Sequence, residues 1–110
     1  MTDKELLELA AKAAGMDGMR WSGSGLSKMI DPSRPESTGS VGRDWSPLTD
    51  DGDALRLAVK LRIHMYFNNT YVDAGVKPNW GVPIEIGNDP YAATRRAIVR
   101  AAAEIGKAQS

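Results

Sequence analysis

The sequence predicts an α+β domain, a small antiparallel sheet packed by three helices. Three observations carry this. Apolar residues recur at helical spacing near both ends and in the middle; the periodicity changes from 3.6 to 2 at Arg62 and back at Asp89; and turn-forming residues separate the segments. The 110 residues suit a single domain over 1–110 rather than two separate cores.

The first helix is expected near residues 3–14. Thr2 and Glu5 have the spacing of a reciprocal capping box. Leu6, Leu9, Ala10 and Ala13 then form an apolar stripe, and Gly15 suits a left-handed C-terminal residue. From Met16 to Pro47 the pattern dissolves among Gly18, Gly23, Gly25, Gly39, Gly42, Pro32 and Pro35. Met19–Trp21 and Leu26–Ile30 are short apolar islands, each consistent with a brief strand. Residues 31–43 hold two prolines, two glycines and three serines, offer little to bury, and are expected to form a mobile loop.

A second helix is predicted near 50–61, with a start as early as Ser46-Pro47 allowed by proline's fit to the first helical position. Asp50, Asp51 and Asp53 crowd its first turn, where carboxylates meet the positive end of the helix dipole. Ala54, Leu57, Ala58 and Leu61 make its buried stripe, widened by Leu55 and Val59. Ile63–Phe67 alternates as a half-buried strand, with Ile63, Met65 and Phe67 on one face and His64 and Tyr66 on the other. Asn68-Asn69 makes a turn, Thr70–Val72 a returning strand, and Gly81–Ile86 a further strand. Asp89-Pro90 opens the last helix, near 90–106, by N-cap and first-position proline. Tyr91, Thr94, Ile98, Ala101, Ala102 and Ile105 share its inner face, and it ends near Gly106.

Composition excludes whole classes of function. There are no cysteines, so disulfides, thiolate nucleophiles and cysteine metal sites are absent. This fits a cytoplasmic protein. No apolar run reaches the roughly 20 residues of a membrane helix, and Thr2-Asp3-Lys4-Glu5 does not read as a signal peptide. Net charge is zero but unevenly spread. Residues 1–55 carry six Lys/Arg and ten Asp/Glu (6 − 10 = −4), and residues 56–110 carry eight and four (8 − 4 = +4). The halves either neutralise each other across the fold or leave a basic C-terminal face for an anionic partner.

No motif points to catalysis, a metal or a cofactor. His64 is the single histidine, and no neighbouring motif supplies the orienting carboxylate and nucleophile a catalytic imidazole needs. Asp50-Asp51-Gly52-Asp53 lacks the alternating carboxylates of a calcium loop, and helix-start electrostatics accounts for it. Gly23–Lys28 lacks the Gly-Lys-Ser/Thr ending of a phosphate loop. The opposing enzyme reading, a cryptic hydrolase, would use carboxylates with His64 on a phosphorylated substrate.

Binding is the more natural reading. Arg95, Arg96 and Arg100 cluster on the last helix, either as a solvated face or as contacts for a nucleotide or nucleic acid. Trp21 and Trp45 sit in loop-like sequence, where tryptophan either closes a small core or, when exposed, serves as an interaction anchor. Net neutrality and the lack of aromatics interleaved with the arginines rank a protein partner ahead of nucleic acid.

Three segments, MTDKELLELAAKAAG (1–15), WSPLTDDGDALRLAVKL (45–61) and DPYAATRRAIVRAAAEIGKAQ (89–109), resemble small bacteriophage proteins of the phage ABA sandwich domain family. The resemblance covers about half of the chain. It implies a three-layer sandwich with helices on both sides of a sheet, in a phage or prophage protein, and it carries no activity and no functional residues. Together with the surface reading it leads to the expectation of a non-enzymatic accessory protein that binds a host protein in the host cytoplasm.

Overall fold

The computed structural model describes residues 2–15, 20–21, 29–30, 44–76, 79–80 and 83–109. Within these residues there are three helices, α1 (Asp3–Ala13), α2 (Asp51–Leu61) and α3 (Pro90–Ala108). Seven strands accompany them: β1 (Arg20–Trp21), β2 (Met29–Ile30), β3 (Asp44–Trp45), β4 (His64–Phe67), β5 (Tyr71–Val76), β6 (Asn79–Trp80) and β7 (Ile84–Glu85). The α+β class and the antiparallel pairing are as the sequence predicts. The expected mobile loop over 31–43 and the Gly23–Lys28 segment lie outside the described residues.

Each helix begins as its capping chemistry dictates. The Glu5 amide donates to Thr2 Oγ1 at 3.2 Å while the Thr2 amide donates to Glu5 Oε1 at 3.1 Å, closing the capping box. Asp50 caps α2 by accepting from the Asp53 amide at 2.8 Å. Helix α2 therefore starts at Asp51, after a turn at residues 47–49, and not at Ser46-Pro47. Asp89 caps α3 by accepting from the Tyr91 and Ala92 amides, with Pro90 at the first position. Gly15 follows α1 at φ +70°, a left-handed conformation that costs glycine little.

Two sheets form. In the smaller, β1 pairs with β2 and β2 with β3, all antiparallel, with Met29 opposite both Trp21 and Trp45. In the larger, β5 is central: β4 lies along one side, and β6 and β7 share the other. Helix α3 packs on this sheet through β5 and β7, and it also carries α1 and α2. Its burial is correspondingly broad, taking in Ala93, Ala97, Ile98, Val99, Ala101, Ala102, Ala103 and Gly106. Helices α1 and α2 thus each pack against α3, which itself lies on β5 and β7.

Several faces differ from the periodicity. Leu7 of α1 is fully buried and Leu9 only partly, so the stripe runs through Leu6, Leu7, Ala10 and Ala11. Leu55 and Val59 do not widen the buried stripe of α2; they are 63% and 69% exposed. Tyr91, expected on the inner face of α3, is 69% exposed, while Ala93 in the same turn is buried. Helix α3 ends at Ala108, two residues past Gly106, and that glycine is buried at the α1 crossing.

Candidate functional site

The arginines of α3 are held by the acidic N-terminal half of the chain. Arg95 donates through Nε to the Leu48 carbonyl at 2.9 Å and through Nη1 to Asp51 at 2.6 Å. These bonds tie α3 to the turn and first residue of α2. Arg96 pairs with Asp3 at 3.0 Å, linking α3 to the start of α1. Arg100 makes no ion pair among the described residues, and the i, i+4 pair with Glu104 that the spacing allows is not formed. The uneven charge of the two halves is therefore spent in part on internal neutralisation: acids at both helix starts meet bases on α3.

The acidic run at 50–53 is equally structural. Asp53 is 3% exposed, accepts from the Ser46 amide at 2.9 Å, and pairs with Arg56 at 2.6 Å. Asp50 caps the helix, and Asp51 holds Arg95. Among the described residues no cluster of three or more histidines or carboxylates has metal-binding geometry.

Trp45 corrects the expectation of an exposed anchor. It is 5% exposed and belongs to the main core with Leu7, Leu57 and Val99. Its near neighbours are drawn into the same core, Pro47 fully buried and Leu48 packed partly buried against it. Of Trp21 only the backbone is described, paired in β1 with β2.

Two surface features stand where the sequence did not place them. The first is the outer face of α2, where Leu55 and Val59 lie four residues apart and exposed. A signal for it was present: α2 is apolar at Ala54, Leu55, Leu57, Ala58, Val59 and Leu61, more than one buried face requires. The second is β4. Tyr66 and Phe67 are 52% and 57% exposed, on opposite faces of the same strand. On the side turned away from α3, Tyr66 meets Tyr71 with ring centroids 6.3 Å apart and planes tilted by 50°. Asp73, opposite Tyr66 in register, has a buried Oδ1 with no hydrogen-bond partner among the described residues.

Among the described residues, no helix is long and apolar enough to cross a membrane. No family model, curated protein or solved structure matches the chain.

Proposed function

We propose that this chain is a small phage or prophage accessory protein that acts without catalysis, by binding a host protein inside the host cell. The observation that carries the choice of a protein partner is the contrast between its arginines and its apolar surface. Arg95 and Arg96, two of the three arginines a phosphate ligand would use, already have carboxylate partners. Leu55 and Val59 meanwhile present aliphatic side chains to solvent on one helix face. Burying such a pair yields a favourable contribution of about 25 cal/mol per Å² of apolar surface, whereas recruiting a phosphate would first require breaking Arg95 or Arg96 from its partner. The phage setting is supported by the resemblance of the three helical segments.

The test is retention of a protein from bacterial host lysate on the immobilised chain, at low and high salt and after nuclease treatment. Retention that survives both, and is lost in a Leu55→Ser, Val59→Ser double variant but kept when Arg95, Arg96 and Arg100 become alanine, is the expected outcome. Recovery of only nucleic acid or nucleotide, abolished by the arginine substitutions, would reverse the reading. His64→Ala separates binding from catalysis: it leaves the biological effect intact if no chemistry is performed.

A further inference from the structure

Among the described residues strand β4 is an edge whose outward backbone groups have no strand partner, and its sequence is complementary to itself. The direction of each backbone group follows from two bonds at the hairpin. The Asn68 amide donates to the Tyr71 carbonyl at 3.2 Å, and the Ile86 amide to the Thr70 carbonyl at 3.1 Å. In an antiparallel ladder, bonded and non-bonded pairs alternate. Tyr71, Asp73 and Gly75 therefore address β4, and their partners Asn68, Tyr66 and His64 address β5. The N–H and C=O of Met65 and Phe67 point the other way, where no strand is paired among the described residues. At the start of the strand the Ile63 amide is taken by the Ala58 carbonyl at 2.9 Å, which sets one limit of the open stretch.

Natural edges are usually blunted by lysine, proline or a bulge. His64-Met65-Tyr66-Phe67 has none of these, and its pairing with β5 is unbroken.

We propose that β4 pairs antiparallel with β4 of a second copy of this chain, about a two-fold axis through Tyr66. This inference stands independently of the host partner. With the axis at Tyr66, Met65 falls opposite Phe67 of the second copy, and the converse. Both residues have outward backbone groups, so the arrangement closes four hydrogen bonds. One residue of slip loses this match: bonded positions would face positions whose groups are already used by β5. Tyr66 meets its own copy, and His64 meets Asn68. No charged residue falls opposite another, so symmetry brings no like-charge repulsion. The pairing covers Tyr66 on one face and sets Phe67 against the half-buried Met65 on the other, burying the two aromatics that β4 exposes. A four-residue edge buries less than the area of a stable obligate interface, so the dimer is weak and concentration-dependent.

The absence of cysteine makes a direct test possible. In a non-hydrogen-bonded antiparallel pair the Cα atoms lie about 4.5 Å apart, within disulfide reach. Tyr66→Cys therefore cross-links rapidly with diamide. His64→Cys, displaced by about four residues or roughly 13 Å from its own copy, does not. The expected result is a cross-linking rate at least about tenfold higher for Tyr66→Cys, at concentrations where the wild-type chain sediments as a monomer–dimer mixture. Phe67→Lys, which keeps its pairing to β5 and melts cooperatively, sediments as monomer throughout. Equal cross-linking rates for the two cysteine variants, or a wild-type chain that stays monomeric up to about 1 mM, would overturn the proposal. So would a Phe67→Lys dimer as tight as wild type.

Discussion

Gly106 of α3 lies against the backbone carbonyl of Leu9 in α1, so close that a Cβ at this position would sit on the carbonyl oxygen and 2.9 Å from its carbon. The obstacle is backbone, which cannot swing aside as a side chain would. The most extensive helix pairing in the fold depends on this approach, with Ala10 and Ala102, both fully buried, alongside it.

Gly106→Ala is consequently expected to destabilise the protein although alanine is the better helix former. Propensity favours the variant by about 1 kcal/mol. Overpacking against a fixed backbone costs about 3 kcal/mol or more. The net loss is about 2 kcal/mol, and thermal unfolding should show a melting temperature lower by roughly 8 °C. An unchanged or higher Tm would mean that the two helices separate freely.

The two sides of α2 should respond very differently to truncation. Leu57 is 3% exposed in the core, and Leu57→Ala should cost about 2–4 kcal/mol in urea unfolding. Leu55, 63% exposed two positions earlier, should change stability by less than about 0.5 kcal/mol when made alanine. Comparable losses at both positions would show that the outer face of α2 is covered within the monomer.

That contrast also marks how far the fold was legible in the sequence. Helix starts could be read because caps are local: Thr2 with Glu5, and Asp89 with Pro90, act within four residues. The turn between β4 and β5 was legible for the same reason, since Asn68 Oδ1 accepts from the Thr70 and Tyr71 amides at 2.8 Å. The continuation of β5 to Val76 was not, because Asp73 and Gly75 are poor strand formers that tertiary pairing overrides. Faces were harder still. Leu55 and Leu57 are chemically the same, and only the position of α3 decides which is buried. Trp45 was misread because its flanking residues are loop-like, while its burial is set by distant partners in the core. For the arginines, the sequence showed the charge asymmetry between halves but not that Asp51 and Asp3 would take Arg95 and Arg96.

Arg62 provides a stabilising prediction. It ends α2 in the left-handed conformation, φ 57° and ψ 45°, and no other non-glycine residue described has positive φ. An L side chain there costs about 1–2 kcal/mol. Glycine removes this strain but adds about 0.5–1 kcal/mol of backbone entropy to the unfolded chain. Arg62→Gly should therefore gain about 0.5–1 kcal/mol, read as a higher urea midpoint with an unchanged slope.

The carboxylates at the start of α2 should separate by burial. Asp53→Ala leaves the Ser46 amide without its acceptor and releases Arg56, at a cost of about 1–3 kcal/mol. Asp51→Ala breaks a pair whose acidic side chain is 69% exposed and should cost less than about 1 kcal/mol. If chemical denaturation ranks the two in reverse, the contact that matters is α2 to α3 and not α2 to its own leading turn.

The last prediction concerns pH. The Thr2 amide and, secondly, the Thr2 hydroxyl donate to the Glu5 carboxylate and hold its pKa below the ordinary glutamate value. In the unfolded chain these donors are dispersed and the ordinary value returns. A carboxyl group with a lower pKa when folded binds fewer protons in that state, so its contribution to stability is fully present above the ordinary glutamate pKa. It is lost as pH falls through the lowered folded value. A side-chain carbon chemical-shift titration of Glu5 should therefore give a midpoint below the ordinary glutamate range. Thr2→Ala should move it back toward that range, with fraying of α1 confined to its first turn at neutral pH. A Glu5 midpoint that does not move in the Thr2 variant would assign the depression to the charge of the chain's start and leave the capping box without a role in it.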